Sequence, residues 1–93
     1  MELHFSEEFE DQLQKLVEQG FMNVERLKAL RSALLQLARD PVSGREVFPN
    51  LPRPAWYQVC RYPDGRDTGV RIIYQMRDVG GVWVDALYLH RGL

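Results

Sequence analysis

Cysteine and histidine are nearly missing from this 93-residue chain: Cys60 stands alone, and His4 and His90 are its only histidines. A lone cysteine excludes an internal disulfide, and one thiol with two imidazoles is too few for a structural zinc site. Folding therefore rests on packing. Long apolar runs are lacking too, the longest being Ala86 to Leu89, far short of the ~20 residues of a membrane-spanning helix. The acidic N-terminal stretch offers no basic segment followed by an apolar one, so no secretory leader is expected and the protein is expected in the cytoplasm. A glycine-rich GK[ST] loop, HExxH, CxxC and G-x-S-x-G are all absent, so neither a nucleotide cofactor nor a metal is expected.

What is present is an ordinary globular composition, 45% hydrophobic and 27% charged, in a length that suits one domain over residues 1–93. The net charge of -1 conceals a polarised molecule. Glu2, Glu7, Glu8, Glu10, Asp11, Glu18 and Glu25 face only Lys15 among the first 25 residues, and the remainder is net basic. Arginine dominates that basic part, with ten residues, of which those at positions 45, 53, 61, 66, 71, 77 and 91 fall outside the helical half of the chain.

The pattern of apolar residues predicts the elements. Met1, Leu3 and Phe5 alternate with Glu2 and His4, as in a short half-buried strand. Ser6 is a good N-cap, acidic residues follow it, and Phe9, Leu13, Leu16 and Val17 give a helical stripe that Gly20 stops, so the first helix is expected from Ser6 to about Gln19. A second helix is expected from Asn23 to Asp40-Pro41, with Val24, Leu27, Leu30, Leu34 and Leu37 on its apolar side and Met22 stapling onto Leu27. The connection Gly20 to Met22 is so short that the helices form an antiparallel hairpin. After the proline-rich loop Pro49 to Pro54 the period becomes two. Strands are expected at Trp56 to Tyr62, Val70 to Arg77 and Val82 to Leu89, with turns at Pro63-Asp64-Gly65 and Asp78-Val79-Gly80-Gly81. The order β-α-α-β-β-β predicts an α+β fold in which a helical hairpin covers one face of an antiparallel sheet of about four strands.

Chemistry is expected on the open face of that sheet. Guanidinium groups are planar and permanently charged, and a cluster of them suits a phosphodiester and the charge that develops on it during cleavage. Alternation puts Val70, Ile72, Tyr74 and Met76 on one side and Arg71, Ile73, Gln75 and Arg77 on the other, so Arg71 is expected to face solvent. Taken singly, such an arginine is more often a solvated surface charge. Trp56, Tyr57, Tyr62, Trp83 and Tyr88 offer faces for unpaired bases, although packing is their commoner use on strands. Cys60 is read as a small packing residue.

The chain resembles the RelE/ParE superfamily of bacterial toxin-antitoxin toxins over nearly its whole length. The resemblance lies in the opening Leu3-His4-Phe5-Ser6-Glu7-Glu8-Phe9, the helical hairpin ending in Asp40-Pro41, a basic loop with Gly44 and Arg45, the strand Gly69-Val70-Arg71-Ile72-Ile73-Tyr74-Gln75, and a last strand ending His90-Arg91. It implies a cytoplasmic toxin held inactive by a cognate antitoxin protein. RelE-like members act on the ribosome, activating the 2′-OH of mRNA against the adjacent phosphate, whereas ParE-like members inhibit DNA gyrase. By position, the resemblance implies catalytic roles for Arg71, His90 and Arg91, with Arg45, Arg53 and Arg61 binding RNA and no metal or other cofactor. RelE-like members carry two lysines on the strand corresponding to Trp56 to Tyr62. The matching places here hold Gln58 and Cys60, with Arg61 one residue off and expected on the other face.

Overall fold

The helices form where the sequence supplies their ends. In the computed structural model, which describes residues 2–41, 45–47, 55–64, 68–77 and 81–91 and only the backbone of 45–47, 55, 77 and 91, the first strand β1 (Glu2–Phe5) runs directly into α1 (Glu7–Glu18). The Ser6 hydroxyl accepts a 3.0 Å hydrogen bond from the Phe9 N–H, closing one of the open donors of the first turn. The same hydroxyl donates to the Asp85 carbonyl at 2.6 Å and so fastens the helix to the last strand. At the far end Gly20 takes the left-handed conformation, φ 79°. The Phe21 N–H then reaches the Leu16 carbonyl (2.9 Å) and the Gly20 N–H that of Val17 (3.1 Å), the paired closure that a glycine beyond the helix permits. Asn23 caps α2 (Val24–Arg39), its Oδ1 accepting from the Arg26 N–H at 2.9 Å. The end of α2 is pinned to the sheet by the Tyr74 hydroxyl, which donates to the Pro41 carbonyl at 2.6 Å.

The remaining elements are β2 (Arg45–Val47), β3 (Ala55–Arg61), β4 (Thr68–Arg77) and β5 (Gly81–Arg91), and the sheet runs β1-β5-β4-β3-β2. The architecture is α+β, with the expected helical hairpin on one face of the sheet. β3, β4 and β5 form the expected antiparallel meander, while β1 pairs parallel with β5 and makes the sheet mixed. The hairpin is the cause: it carries the chain from β1 across to the far edge, and the meander then returns to place its last strand beside the first. β2 is an addition that the sequence did not announce, because Arg45, Glu46 and Val47 are too few to show alternation. The turn at Asp78-Val79-Gly80, Gly65 and the loop at Pro49 to Pro54 lie outside the described residues.

The core sits between hairpin and sheet. Val70, Ile72 and Tyr74 of β4 and Val82 and Val84 of β5 are fully buried. They pack with Leu87 below Phe9, Leu16, Leu30 and Leu37 of the helices. Burial of each such side chain stabilises the fold by about 1.5–3 kcal/mol. The stripe expected on α2 holds only in part. Leu30 and Leu37 are buried, but Val24 and Leu27 are 65% and 36% exposed, because Arg26 turns to the sheet in that first turn and lays its guanidinium 4.3 Å from the centre of the Tyr62 ring. Among the described residues no helix is long and apolar enough to cross a membrane.

Candidate nucleic-acid interface

Strand register decides which side chains meet. On the helix-covered face the rows are Cys60–Val70–Leu89, Gln58–Ile72–Leu87 and Trp56–Tyr74–Val84. On the opposite, helix-free face they are Arg61–Gly69–His90, Val59–Arg71–Tyr88 and Tyr57–Ile73–Ala86. Arg71 therefore lies on the open face as the alternation predicts, but it is not freely solvated. It is half-buried, with its guanidinium carbon 4.8 Å from the centre of the Tyr57 ring. Its Nε is buried and has no hydrogen-bond partner, and no ion pair to Arg71 is formed among the described residues. The cation–aromatic contact offsets part of the cost of drawing a charge away from water, and the remaining donors are left for an anion.

The expectation for Arg61 is corrected by the register. Gln58 and Cys60 are on the helix side, and Arg61, exposed, shares the open face with Arg71. β3 carries apolar or aromatic residues in both alternating series, so periodicity could not tell which series faces the core. Arg61 and His90 flank Gly69 from the two neighbouring strands, and Arg71 is two residues along β4 on the same side. Gly69 is a glycine because a Cβ there would collide with the Cys60 carbonyl oxygen and stand 2.9 Å from the Arg61 Cα. Gly69 is itself buried, and on the same face its row and the next carry Arg61, His90 and Arg71, three side chains able to donate to an anion.

The other expected site residues fall differently. Arg45 pairs with Tyr57 from the edge strand β2, and Arg91 pairs with Thr68, one step out of phase with His90; their side chains are outside the described structure, as is Arg53 altogether. Of the aromatics, Tyr57, Trp83 and the 48% exposed Tyr88 belong to the open face, whereas Trp56 and Tyr62 belong to the helix side.

A bulge makes this grouping possible. Ile73 pairs with Ala86 but Tyr74 with Val84, so Asp85 is an extra residue in β5 and the strand changes phase there. Trp83 and Tyr88, five positions apart, thereby reach one face. Sequence reasoning missed this although a signal exists: the core series switches from Val82 and Val84 to Leu87 and Leu89, which strict alternation does not allow.

On the helix side a cleft of about 400 Å³ is lined by Phe21, Arg26, Tyr62, Thr68 and Leu89. Arg26 is already engaged there, its Nε donating to Asp64 Oδ1 at 3.0 Å and its Nη1 to the Phe21 carbonyl at 2.9 Å. The hydrogen bond from Arg26 holds the Asp64 carboxyl below its usual range, and burial pushes the Tyr62 phenol and the Cys60 thiol up. Among the described residues no three His, Cys, Asp or Glu side chains converge as a metal-binding group. Compared with known proteins, the chain matches no family model, no curated protein and no solved structure.

Proposed function

We propose that this protein is a cytoplasmic toxin of the RelE type, cutting mRNA on the ribosome and silenced by a cognate antitoxin. The observation that carries the reading is the half-buried Arg71 guanidinium, held on Tyr57 with an unpartnered Nε, on the same open face as Arg61 and His90. A phosphodiester seated there would have two guanidiniums to stabilise the charge of a phosphorane-like transition state. The 2′-oxygen attacks phosphorus and loses its proton to a base, the bond from phosphorus to the 5′-oxygen breaks, and that oxygen takes up a proton. The His90 imidazole is the proton carrier that the described cluster offers. The products are a 2′,3′-cyclic phosphate and a 5′-hydroxyl.

A second reading is favoured by one feature. Gln58 and Cys60, which stand where the RelE-like lysines are expected, face the helices, and this leaves the open face without a lysine from β3. On that reading the protein binds without cutting, as a gyrase inhibitor or an antitoxin-pairing homologue. Ribosome-dependent cleavage of a defined mRNA separates the two. Arg71→Ala is expected to lower the cleavage rate by roughly two to three orders of magnitude, with Arg71→Lys recovering little because the planar fork is lost. Arg31→Ala, on the exposed side of α2, is expected to cut like wild type. Wild-type protein that binds an antitoxin tightly and cuts nothing on programmed ribosomes would decide for the binding protein.

A further inference from the structure

The open sheet face carries a second feature at the end away from Gly69. His4 of β1 and Trp83 of β5 are register partners across the parallel pair, and their rings stack at 4.4 Å between centroids and 16° between planes. Gly81 makes room for them: a Cβ there would stand 2.9 Å from Trp83 Cζ3 and 3.0 Å from His4 Cδ2. The pair lies on the helix-free side, and the His4 side chain is 39% exposed. Trp83 is opposite Gln75 and His90 is opposite Gly69, so the two ends are six residues of β4 apart, about 20 Å at the rise of a strand. That span is in keeping with the ~4 nucleotides that the smallest single-strand sites engage.

We infer that the His4–Trp83 pair is a base-stacking subsite, holding a single-stranded RNA whose backbone is anchored at Arg61, Arg71 and His90. The inference rests on the RNA reading above and extends it to how the strand is held beyond the reacting phosphate. Charge selects the occupant. The Gly69 end of this face presents the half-buried Arg71 guanidinium, whose Nε has no partner, the exposed Arg61 and the His90 imidazole, whereas the acidic groups of α1 lie across the sheet, so a polyanion is attracted to this end of the open face and repelled by α1. Chemistry also changes along the face. At the aromatic end the Glu2 carboxylate stands 3.9 Å from His4 Nε2, which disfavours a phosphate there and leaves the uncharged face of a base as the fitting contact. The bulge at Asp85 is what puts Trp83 in line with Tyr88 and His90 on this side.

Tryptophan emission tests this, with Trp56→Phe as background so that Trp83 is the one reporter. The probe is a hexauridylate methylated at every 2′-oxygen, which binds but cannot be cut. Titration is expected to quench the emission, and His4→Ala is expected to weaken binding by roughly ten-fold. Trp83→Phe, followed by anisotropy of a labelled probe, is expected to keep most of the affinity that Trp83→Ala loses, since a ring face remains. Arg71→Ala is expected to raise the concentration needed without abolishing quenching at saturation. Unquenched emission with the probe bound, or His4→Ala and Trp83→Ala variants that melt normally and bind like the parent, would overturn the subsite. Cleavage on programmed ribosomes with unquenched emission removes the subsite and leaves the endonuclease reading standing; quenching without cleavage removes the endonuclease and leaves the subsite.

Discussion

The Gln12 side chain of α1 accepts a 2.6 Å hydrogen bond from the backbone N–H of Leu87. β1 pairs with β5 only as far as Val84, and Gln12 takes over on that edge where the strand partner ends. A buried donor left without a partner costs about 1–3 kcal/mol. Gln12→Ala is therefore expected to lower stability by about that amount, whereas Gln12→Glu, which keeps an acceptor, is expected to lose much less. Chemical denaturation of the two variants checks the difference.

Gly69 admits no side chain without movement of the β3 backbone. Gly69→Ala is expected to destabilise by about 1–3 kcal/mol, the usual cost of overpacking. It is also expected to weaken RNA binding beyond what its stability loss explains, because the β3 backbone that carries Arg61 must shift to admit the Cβ. Melting and RNA titration of the same preparation separate the two effects.

Deleting Asp85 removes the phase change in β5. Either Val82 and Val84 or Leu87 and Leu89 would then be turned out of the core, and loss of cooperative thermal unfolding is the expected result. An unaltered melting transition in the deletion variant would show that the register does not depend on the bulge.

The legibility of the fold follows from where its information lies. Ser6, Asn23 and Gly20 act within a turn of chain, so the sequence reports the helix ends almost to the residue. Val70, Ile72 and Tyr74 announce their face because Arg71 and Gln75 between them are polar. The face of Arg61 was not legible, since Tyr57 and Val59 are as apolar as Trp56 and Cys60, and only the pairing of β3 with β4 orients them. Burial of Arg71 was hidden for the same reason: its neighbour Tyr57 comes from another strand. The parallel seating of β1 and the close approach of β3 to Gly69 likewise arise from contacts between distant segments.

Asp64 titrates with a depressed pKa because Arg26 donates to its carboxylate. The ionised form is favoured in the folded protein, so this contact stabilises above the unfolded value near 3.9 and its contribution is lost as pH falls through the lower folded value. Wild type is expected to lose thermal stability more steeply than Asp64→Asn below about pH 4, and parallel slopes in melting temperature against pH would refute the coupling.

Cys60 is 6% exposed with its thiol pKa raised by burial. The thiolate is the reactive form, so labelling by a disulfide reagent at mildly alkaline pH is expected to be slow in native protein and rapid in denaturant. Fast stoichiometric labelling of native protein would place the thiol at the surface.

Charge reversal at Glu7, Glu8 and Asp11, exposed on α1, is expected to leave RNA affinity unchanged or higher, because these groups lie across the sheet from the open face. A large loss of binding in that variant would put the RNA on the helices.

The parallel pairing of β1 with β5, Glu2 opposite Gly81, also sets an order of events during synthesis. β1 is made before β5, with both helices and three strands between them, so β1 has no partner strand to join until that stretch has been added at ~5–20 residues per second. Contacts of such sequence separation are slow to form. The row Arg61–Gly69–His90 is completed by the same strand, so a chain not yet extended through β5 lacks the arrangement of Arg61 and His90 about Gly69.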